Sequence, residues 1–345
     1  MPPMSETYHS PHTFTLADTS GISSPILCIV VDTEEEFNWG GNFSRQNTKI
    51  EALASLVKAQ DIFNRYKIIP TYAIDYPVAT APAIEDLLGP WVAAGQADIG
   101  AHLHPWVTPP FEEVVCPFNS FPCNLEPGLE FRKLTELTRA ISKKFSKAPS
   151  VYKAGRYGYD IRRENMLIEH GFTIDASIMP LRSYSQSGGG PDFLDYPDQP
   201  FWSGPERKIL HIPALHAPVG PLRRLARPSL GRHIFGNTAR RLHIPGLLAG
   251  LGLVELLLLS PEGSSGSELY RMVKTLKGDG YKVFSLTFHS TSLAPGNTPY
   301  SSSAADVSAF LERLDRFFEV FMGQFGGQPK SCLEIVDLLT PRLGA

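Results

Sequence analysis

Seven short segments rich in β-branched and aromatic residues recur along the chain, and helix-like stretches separate them. The segments are ILCIVV from Ile26, IIPTYAI from Ile68, ADIGAHL from Ala97, SVYKAG from Ser150, FTIDAS from Phe172, ILHIPA from Ile209 and KVFSLTF from Lys282. Strands that alternate with helices in this way are typical of a parallel α/β architecture. No linker-like stretch divides the chain, so the pattern predicts one domain over residues 25–345, preceded by a flexible segment over residues 1–24.

The charge balance and the apolar runs exclude several classes of protein. Lys and Arg total 32 against 35 Asp and Glu, and this net charge of -3 gives no general attraction to nucleic acid. The N-terminus lacks the apolar core of a secretory signal, which predicts a cytoplasmic location. The most apolar stretch, residues 246–259, is shorter than the roughly 20 residues that span a bilayer. We expect a buried helix there and no stable membrane insertion.

Residues 221–263 differ from the rest of the chain. An Arg-rich, helix-prone half precedes the apolar stretch, and together they predict a helical insertion that packs as a lid or cap. A basic amphipathic element of this kind is also compatible with a membrane surface. Of the four cysteines, Cys116 and Cys123 lie close enough in sequence for a loop disulfide, and the sequence leaves that pairing open.

The first predicted strand ends in carboxylates. Strand alternation places Asp32 and Glu34 on one face, and both follow a run of apolar residues. One carboxylate could bind a metal or act as a general base while the other orients it. The alternative is a solvated acidic turn, which we favour for Glu35 and Glu36 but not for Asp32.

Histidines end two other predicted strands. His102 and His104 share a strand face, and neutral imidazole nitrogens in such an HxH pattern suit zinc and similar ions. A pair that only hydrogen-bonds to neighbouring carbonyl groups would look the same. His289 ends the last strand, where its ordinary pKa of about 6.5 suits proton donation to a leaving group.

The fourth predicted strand leads to an arginine. Alternation groups Tyr152 and Ala154 with Arg156, which predicts that Arg156 points towards the barrel mouth and orients Asp32. The alternative is a surface salt bridge.

These pieces together resemble a known family. Their order, VDTEEEF, AHLHPW, AGRYGYD, DASIMP and LTFHSTS, is similar to the five motifs of the polysaccharide deacetylase superfamily (NodB homology, carbohydrate esterase family four-like), closest to its WalW-like branch. The resemblance covers residues 26–339. It implies an irregular (β/α) barrel of about seven parallel strands, the glycoside hydrolase/deacetylase type of α/β fold. It also implies a divalent metal cofactor, for which we expect zinc.

The resemblance also implies roles for individual residues. It makes Asp32 the general base and His289 the general acid, it makes Arg156 the arginine that positions the base with Asp175 as its partner-motif aspartate, and it makes Glu34, His102 and His104 the metal ligands. The family's second metal histidine lies four residues after the first, where this chain has Trp106, so His104 would take its place. We expect Trp39, Trp106 and Tyr157 to contact the substrate.

The predicted function is hydrolysis of a non-peptide C–N bond. The substrate expected is a carbohydrate or an N-acylated small molecule, with removal of an N-acetyl group from a sugar of a polysaccharide or its precursor. One alternative is a metal-free hydrolase of a cyclic amide or imide. Another is a non-catalytic barrel that binds carbohydrate on aromatic side chains, among them Trp202.

Overall fold

The computed structural model describes residues 14–226 and 228–340. The strands are β1 (Thr15–Leu16), β2 (Ile26–Thr33), β3 (Thr71–Ile74), β4 (Asp98–Leu103), β5 (Val151–Ala154), β6 (Ile174–Asp175), β7 (Phe201–Ser203), β8 (Ile209–His211), β9 (His216–Val219), β10 (Glu255–Leu258), β11 (Val283–His289) and β12 (Gln328–Pro329). The helices are α1 (Leu56–Arg65), α2 (Tyr76–Thr80), α3 (Ile84–Ala93), α4 (Pro127–Phe145), α5 (Glu164–Glu169), α6 (Pro228–Phe235), α7 (Asn237–Arg241), α8 (Ile244–Gly250), α9 (Gly266–Gly278), α10 (Ala304–Gly323) and α11 (Cys332–Leu339).

A curled sheet of parallel strands forms the centre of the molecule. Its order is β11-β2-β3-β4-β5-β6-β8, and each of the seven predicted strand segments supplies one of these strands. Antiparallel β7 and β1 extend the sheet beyond β8. The predicted α/β barrel class is confirmed, and the alternation of strands with helices explains why the sequence made it visible.

The two faces of the sheet separate the barrel interior from the helical layer. In β2, Leu27, Ile29 and Val31 pack with the outer helices, whereas Cys28 and Val30 belong to the interior cluster. Helix α11 contributes Cys332, Ile335 and Leu339 to that interior cluster. Asp32 therefore continues an inward-facing row. The apolar residues fill the lower part of the barrel, and the polar residues are left at the carboxyl ends of the strands.

The predicted N-terminal segment is structured over its second half. Residues 1–13 lie outside the described residues, but Thr15 and Leu16 pair with Phe201 and Trp202 of β7. Backbone hydrogen bonds to β7 therefore hold these two residues in a strand, and the division into a flexible segment over residues 1–24 and one domain over residues 25–345 stays a prediction.

The insertion is part helix and part strand. Helices α6 to α8 lie between β9 and β10, which pair with each other as an antiparallel ribbon. The expectation of a buried helix over residues 246–259 is wrong. Helix α8 ends at Gly250 and contains no buried residue, and residues 255–258 form β10. Gly252 has a φ of +67°, which breaks the helical path and lets the chain return to β9.

Two further features bear on the sequence expectations. Within residues 14–226 and 228–340, no helix combines the length and the apolar character that crossing a bilayer requires. Cys116 and Cys123 are both free thiols, so the loop disulfide that the sequence left open is not formed.

The packing of α10 against α1 gives a test of the fold. Phe318 is fully buried, and its ring centre lies 5.9 Å from that of Phe63 and 5.7 Å from that of Tyr66. We expect Phe318→Ala to lower the free energy of unfolding in urea by about 3–5 kcal/mol because it leaves a cavity. Leu338→Ala, at a position 49% exposed on α11, should change it by no more than about 0.5 kcal/mol. Equal effects of the two changes would contradict the assigned core.

Candidate active site

Three potential metal-binding side chains meet at the carboxyl ends of β2 and β4. Nε2 of His102 lies 3.4 Å and Nε2 of His104 3.5 Å from Oε2 of Glu34. All three residues are buried, and one donor atom from each lies within 4.8 Å of the others. The HxH pattern brings both imidazoles to one side of β4 because residues two apart on a strand share a face. The structure thus brings together Glu34, His102 and His104, as the sequence predicted.

The second nitrogen of each imidazole is held by another group. Nδ1 of His102 lies 3.0 Å from the backbone carbonyl oxygen of Lys153, and that of His104 lies 2.7 Å from Oε2 of Glu35. A carbonyl oxygen can only accept, so Nδ1 of His102 donates. These contacts leave both Nε2 atoms facing Glu34. Partners of this kind orient the histidines of metal sites and raise their basicity.

The chemistry of this group fits a divalent metal. Burial lowers the pKa of His104 to about 4, which keeps its imidazole neutral as a ligand must be. Oε1 of Glu34 is buried without a hydrogen-bond partner among the described residues, an arrangement that is costly unless a ligand is bound. One carboxylate and two imidazoles form a common zinc donor set with positions open for water or substrate.

Trp106 has a different place from the one predicted. It is only 1% exposed, and its Nε1 donates a hydrogen bond of 2.7 Å to Oε1 of Glu35. Its ring stacks on that of His104, with centres 4.2 Å apart. A substrate cannot stack on a ring with so little free surface, so the expected substrate contact is wrong. Trp106 instead helps to hold Glu35 against His104. Trp202 is also buried, in the interior cluster.

Asp32 lies beside this group and is paired with a lysine. Nζ of Lys153 lies 2.6 Å from Oδ1 of Asp32 and donates a hydrogen bond of 2.6 Å to Oγ1 of Thr287. Burial alone would raise the pKa of Asp32, but the positive charge of Lys153, supported by that of His289, opposes this effect and the pKa is held below its usual value. Asp32 is therefore kept ionised, as a general base requires.

His289 faces Asp32 from the end of β11. The register of β11 and β2 places these two residues opposite each other, and Nε2 of His289 lies 3.7 Å from Oδ2 of Asp32. Nδ1 of His289 lies 2.8 Å from Oε2 of Glu262, whose other oxygen accepts the backbone N–H of His289. Burial would lower the pKa of His289, but the charges of Glu262, Glu34 and Asp32 outweigh it and raise the pKa to about 10. The imidazole is thus held in its protonated, proton-donating form.

Arg156 does not approach Asp32 as predicted. Its guanidinium donates hydrogen bonds to Ser120 and to the carbonyl oxygens of Pro117 and Ser187, and it lies 4.0 Å from the ring centre of Phe121. The reason is the direction of β5. Tyr152 and Ala154 face the outer helices, whereas Lys153 faces the interior and contacts Asp32. Counting alternate residues back from Arg156 therefore assigns the wrong side chains of β5 to the interior. Lys153, and not Arg156, is the cation that contacts Asp32.

Asp175 also lies away from the mouth. It ends β6 with its carboxylate against His211, whose Nδ1 is 2.9 Å from Oδ2 of Asp175. Nε2 of His211 is in turn 2.6 Å from Oγ of Ser203. Ser177, also bonded to Asp175, accepts the backbone N–H of Ala154. Asp175 thus connects β6 to β8 and β5, and its carboxylate contacts His211 and Ser177 instead of the expected partner Arg156.

Aromatic side chains line the approach to Asp32 and His289. The ring of Trp39 lies 4.6 Å from that of His289 and 6.0 Å from that of Tyr300. Tyr157 stacks on Tyr184 with centres 5.9 Å apart. Trp39 and Tyr157 are half-buried and therefore have the free surface that substrate contact needs. The side chain of His289 is 20% exposed while that of Asp32 is 4% exposed, so the opening lies on the His289 side.

Backbone geometry holds the turn after β5 in an unusual conformation. Arg156 and Tyr157 have φ values of +56° and +58°, a region that residues with a Cβ seldom adopt. Gly155 precedes them, and a Cβ there would lie 2.4 Å from Cδ2 of His104. The close approach to His104 explains the glycine. Strain at successive residues is typical of functional turns.

Sequence reasoning missed Lys153, Glu35 and Glu262. The sequence does contain a sign of the role of Lys153, because this residue is the one charged side chain in the strand segment SVYKAG. The acidic neighbours of Glu35 favour a solvated turn when only the sequence is considered. In the structure Glu35 is fully buried and lies 2.7 Å from His104. Glu262 follows β10 and lies 27 residues before His289, so nothing local in the sequence links the two.

Comparisons with known proteins identify the fold. No family model and no curated protein matches the chain. A solved structure from Mycobacterium smegmatis, described as a polysaccharide deacetylase, shares 14% sequence identity with it, and the match covers 96% of this chain and 98% of that one with a TM-score of 0.55. An allantoinase shares 14% identity over 92% of each chain, with a TM-score of 0.52. A 4-α-glucanotransferase from Thermococcus litoralis shares 12% identity over 92% of this chain and 41% of that one, also with a TM-score of 0.52. The chain therefore has the deacetylase type of barrel that the resemblance implied, while the WalW-like branch stays a prediction.

The contact between Glu35 and His104 gives a test of the metal donor set. Glu35→Gln keeps the size of the side chain but removes the charge that holds Nδ1 of His104. We expect the affinity for Zn²⁺ to fall about 10- to 100-fold, measured by competition with a chromophoric chelator, because the ligand loses its orienting partner. Glu36→Gln, at the neighbouring carboxylate that accepts from the N–H of Ala52, is the matched control and should leave affinity unchanged. An unchanged affinity in Glu35→Gln would show that His104 does not bind the ion.

Proposed function

We propose that this protein is a metal-dependent hydrolase that removes an N-acetyl group from a sugar of a polysaccharide or its precursor. The observation that carries the proposal is the meeting of two sets of groups at one barrel mouth. Asp32 and His289 face each other as base and acid, and Glu34, His102 and His104 turn their free donor atoms to the same place. Convergence of acid, base and metal donors in one partly closed site is typical of a hydrolytic centre.

The shared fold supports this proposal. The Mycobacterium smegmatis structure with the same barrel is described as a polysaccharide deacetylase. A fold alone does not fix a reaction, because one barrel serves many chemistries. The weight therefore rests on the side chains at the carboxyl ends of the strands, where barrel enzymes carry their active sites.

The residues divide the reaction between them. Glu34, His102 and His104 would hold a divalent ion, which would supply Lewis-acid activation of water and of the acyl carbonyl group. Asp32 takes a proton from the attacking water, and Lys153 keeps Asp32 ionised for this step. Water oxygen bonds to the acyl carbon and the C–N bond breaks. His289 gives its Nε2 proton to the departing nitrogen, so that acetate and a free amine result.

The mouth suits a sugar. Trp39 and Tyr300 form one aromatic wall, and Tyr157 and Tyr184 form the other. Aromatic rings with free faces offer stacking surfaces for the apolar faces of sugar rings. Nε1 of Trp39 is buried and has no hydrogen-bond partner among the described residues.

Acetate release from a panel of N-acetylated and O-acetylated saccharides tests the proposed activity. We expect release from at least one N-acetylated sugar, and a fall in kcat of about 10²- to 10⁴-fold in Asp32→Asn because the general base is lost. Removal of metal by a chelator should abolish release, and added Zn²⁺ should restore it.

Two results would contradict this proposal in different ways. Full activity of the metal-free protein on a cyclic amide or imide would favour the metal-free alternative. Saccharide binding that survives Asp32→Asn, with no acetate released by the parent protein, would favour a binding barrel. Asp61→Asn, on the outer helix α1, is the control for charge removal alone.

The pairing of Glu262 with His289 predicts a change in the pH profile. The acid must be protonated, and its pKa of about 10 keeps it so through neutral pH. Glu262→Gln removes a negative charge and lowers that pKa, so we expect the alkaline limb of the kcat profile to move to lower pH by at least about one unit. A loss of activity that is uniform across pH, with the limb unmoved, would indicate a structural role only.

A further inference from the structure

Three arginines surround Tyr184 at the rim of the mouth. The guanidinium carbon of Arg182 lies 5.7 Å from the ring centre of Tyr184. That of Arg156 lies 4.0 Å from the ring of Phe121, which is itself 6.2 Å from Tyr184. Arg240 lies on α7 of the insertion, and α7 contacts this segment through Asn237, whose Nδ2 donates a hydrogen bond of 2.9 Å to Oγ of Ser185. Burial raises the pKa of Tyr184, and the charges of Arg182, Arg156 and Arg240 counteract that rise, so all three act on this one hydroxyl.

This rim is continuous with the proposed catalytic centre. Tyr184 stacks on Tyr157 at an angle of 15°, and Nζ of Lys153 lies 5.3 Å from the ring centre of Tyr157. Lys153 in turn contacts Asp32. Burial raises the pKa of Tyr300, on the opposite wall, as does the charge of Glu262, while the charge of Arg182 opposes them. The positive charge of Arg182 therefore affects the pKa of Tyr184 on one side of the mouth and that of Tyr300 on the other.

None of these three arginines is neutralised by a carboxylate within the described residues. Arg156 donates to a hydroxyl and two carbonyl oxygens, and Nε of Arg240 donates to the carbonyl oxygen of Phe235 at 2.7 Å. Three other arginines of the insertion, Arg223, Arg224 and Arg232, do have acidic partners. Arg232 pairs with Asp195 and Asp192, and Arg223 pairs with Asp279.

Unneutralised positive charge in a partly buried place is unfavourable. Burial lowers the pKa of Arg240, and the nearby charge of Arg182 lowers it further. Burial also lowers the pKa of Arg156. Like charges that are held together away from water destabilise the protein unless an anion binds between them. An oxyanion that accepts several guanidinium hydrogen bonds is the ligand that such a group recognises best.

We propose that Arg182 and Arg240, with Arg156, bind an anionic group carried by the substrate, so that the enzyme acts on a negatively charged N-acetylated saccharide. The inference rests on the proposed function for the position of the acetyl group. A phosphate of a lipid-linked or nucleotide-linked sugar and a carboxylate of an acidic glycan share the required chemistry. Anchoring such a group at the rim would fix the sugar between the aromatic walls and present its acetamido group to Asp32 and His289.

Direct binding tests this inference without turnover. The zinc-loaded Asp32→Asn protein is titrated in a calorimeter with N-acetylglucosamine 1-phosphate, with an N-acetylated disaccharide that contains a uronic acid, and with neutral di-N-acetylchitobiose. We expect at least one anionic ligand to bind about 10-fold tighter than the neutral one, equivalent to about 1.4 kcal/mol, and to weaken as NaCl rises. Preference for the phosphate or for the carboxylate ligand identifies the source of the anion.

Variants test whether the affinity for an anionic ligand depends on these particular arginines or only on the total positive charge of the protein. Arg182→Ala and Arg240→Ala should each weaken the anionic ligand about 10-fold and the neutral one less than about 2-fold, while Arg182→Lys retains part of the affinity. Arg224→Ala is the matched control, because this arginine lies on the same insertion with its side chain 76% exposed. Equal binding of charged and neutral ligands by the parent protein would overturn the inference. Failure to release acetate would overturn only the proposed reaction, since binding is measured independently.

Discussion

The ion pair between Lys153 and Asp32 is the interaction on which the rest of the site depends. Both side chains are buried inside the barrel, where an isolated charge costs several kcal/mol, so neither is stable there without the other. Lys153 also donates to Thr287 on β11, and its backbone oxygen accepts from His102 on β4. One residue of β5 therefore fixes Asp32, the imidazole of His102 and the strand that carries His289.

Carboxylates that contact the Nδ1 atoms of two histidines orient the rings of the site. Glu35 holds His104, Glu262 holds His289, and Asp75 accepts the backbone N–H of Glu35 at 2.7 Å. Asp75 also caps α2 by accepting the N–H of Val78. The same carboxylate thus caps the helix that follows β3 and holds the backbone next to Glu34. Rings held in this way keep their reactive nitrogens aimed at the mouth without the help of a ligand.

The sequence was informative where local periodicity decides the structure. The seven strands follow from β-branched segments between helical ones, and alternation on β2, β4 and β11 correctly directs Asp32, His102 and His289 inward. Alternation gave the wrong result on β5. The strand ends at Ala154 and Arg156 lies in the turn that follows, so the position of Arg156 does not tell which face the residues of β5 occupy. The contacts of Glu262 and Asp175 depend on residues that the fold brings together from distant positions. No local pattern predicts such contacts, and the burial of Trp106 likewise depends on loops that lie far away in sequence.

The barrel has a seam. In the described part of the chain β8 and β11 do not pair with each other, and only single hydrogen bonds, such as that from the N–H of Thr287 to the oxygen of Leu259, cross this side. The insertion that carries Arg240 leaves the barrel after β8 and returns before β11, so its length and sequence interrupt no ladder of the parallel strands. The insertion thereby supplies Arg240, whereas Arg156 and Arg182 belong to the connections that follow β5 and β6. Exchange of residues 216–258 would therefore offer evolution, or a protein engineer, a way to alter the surroundings of the mouth while the parallel strands stay as they are.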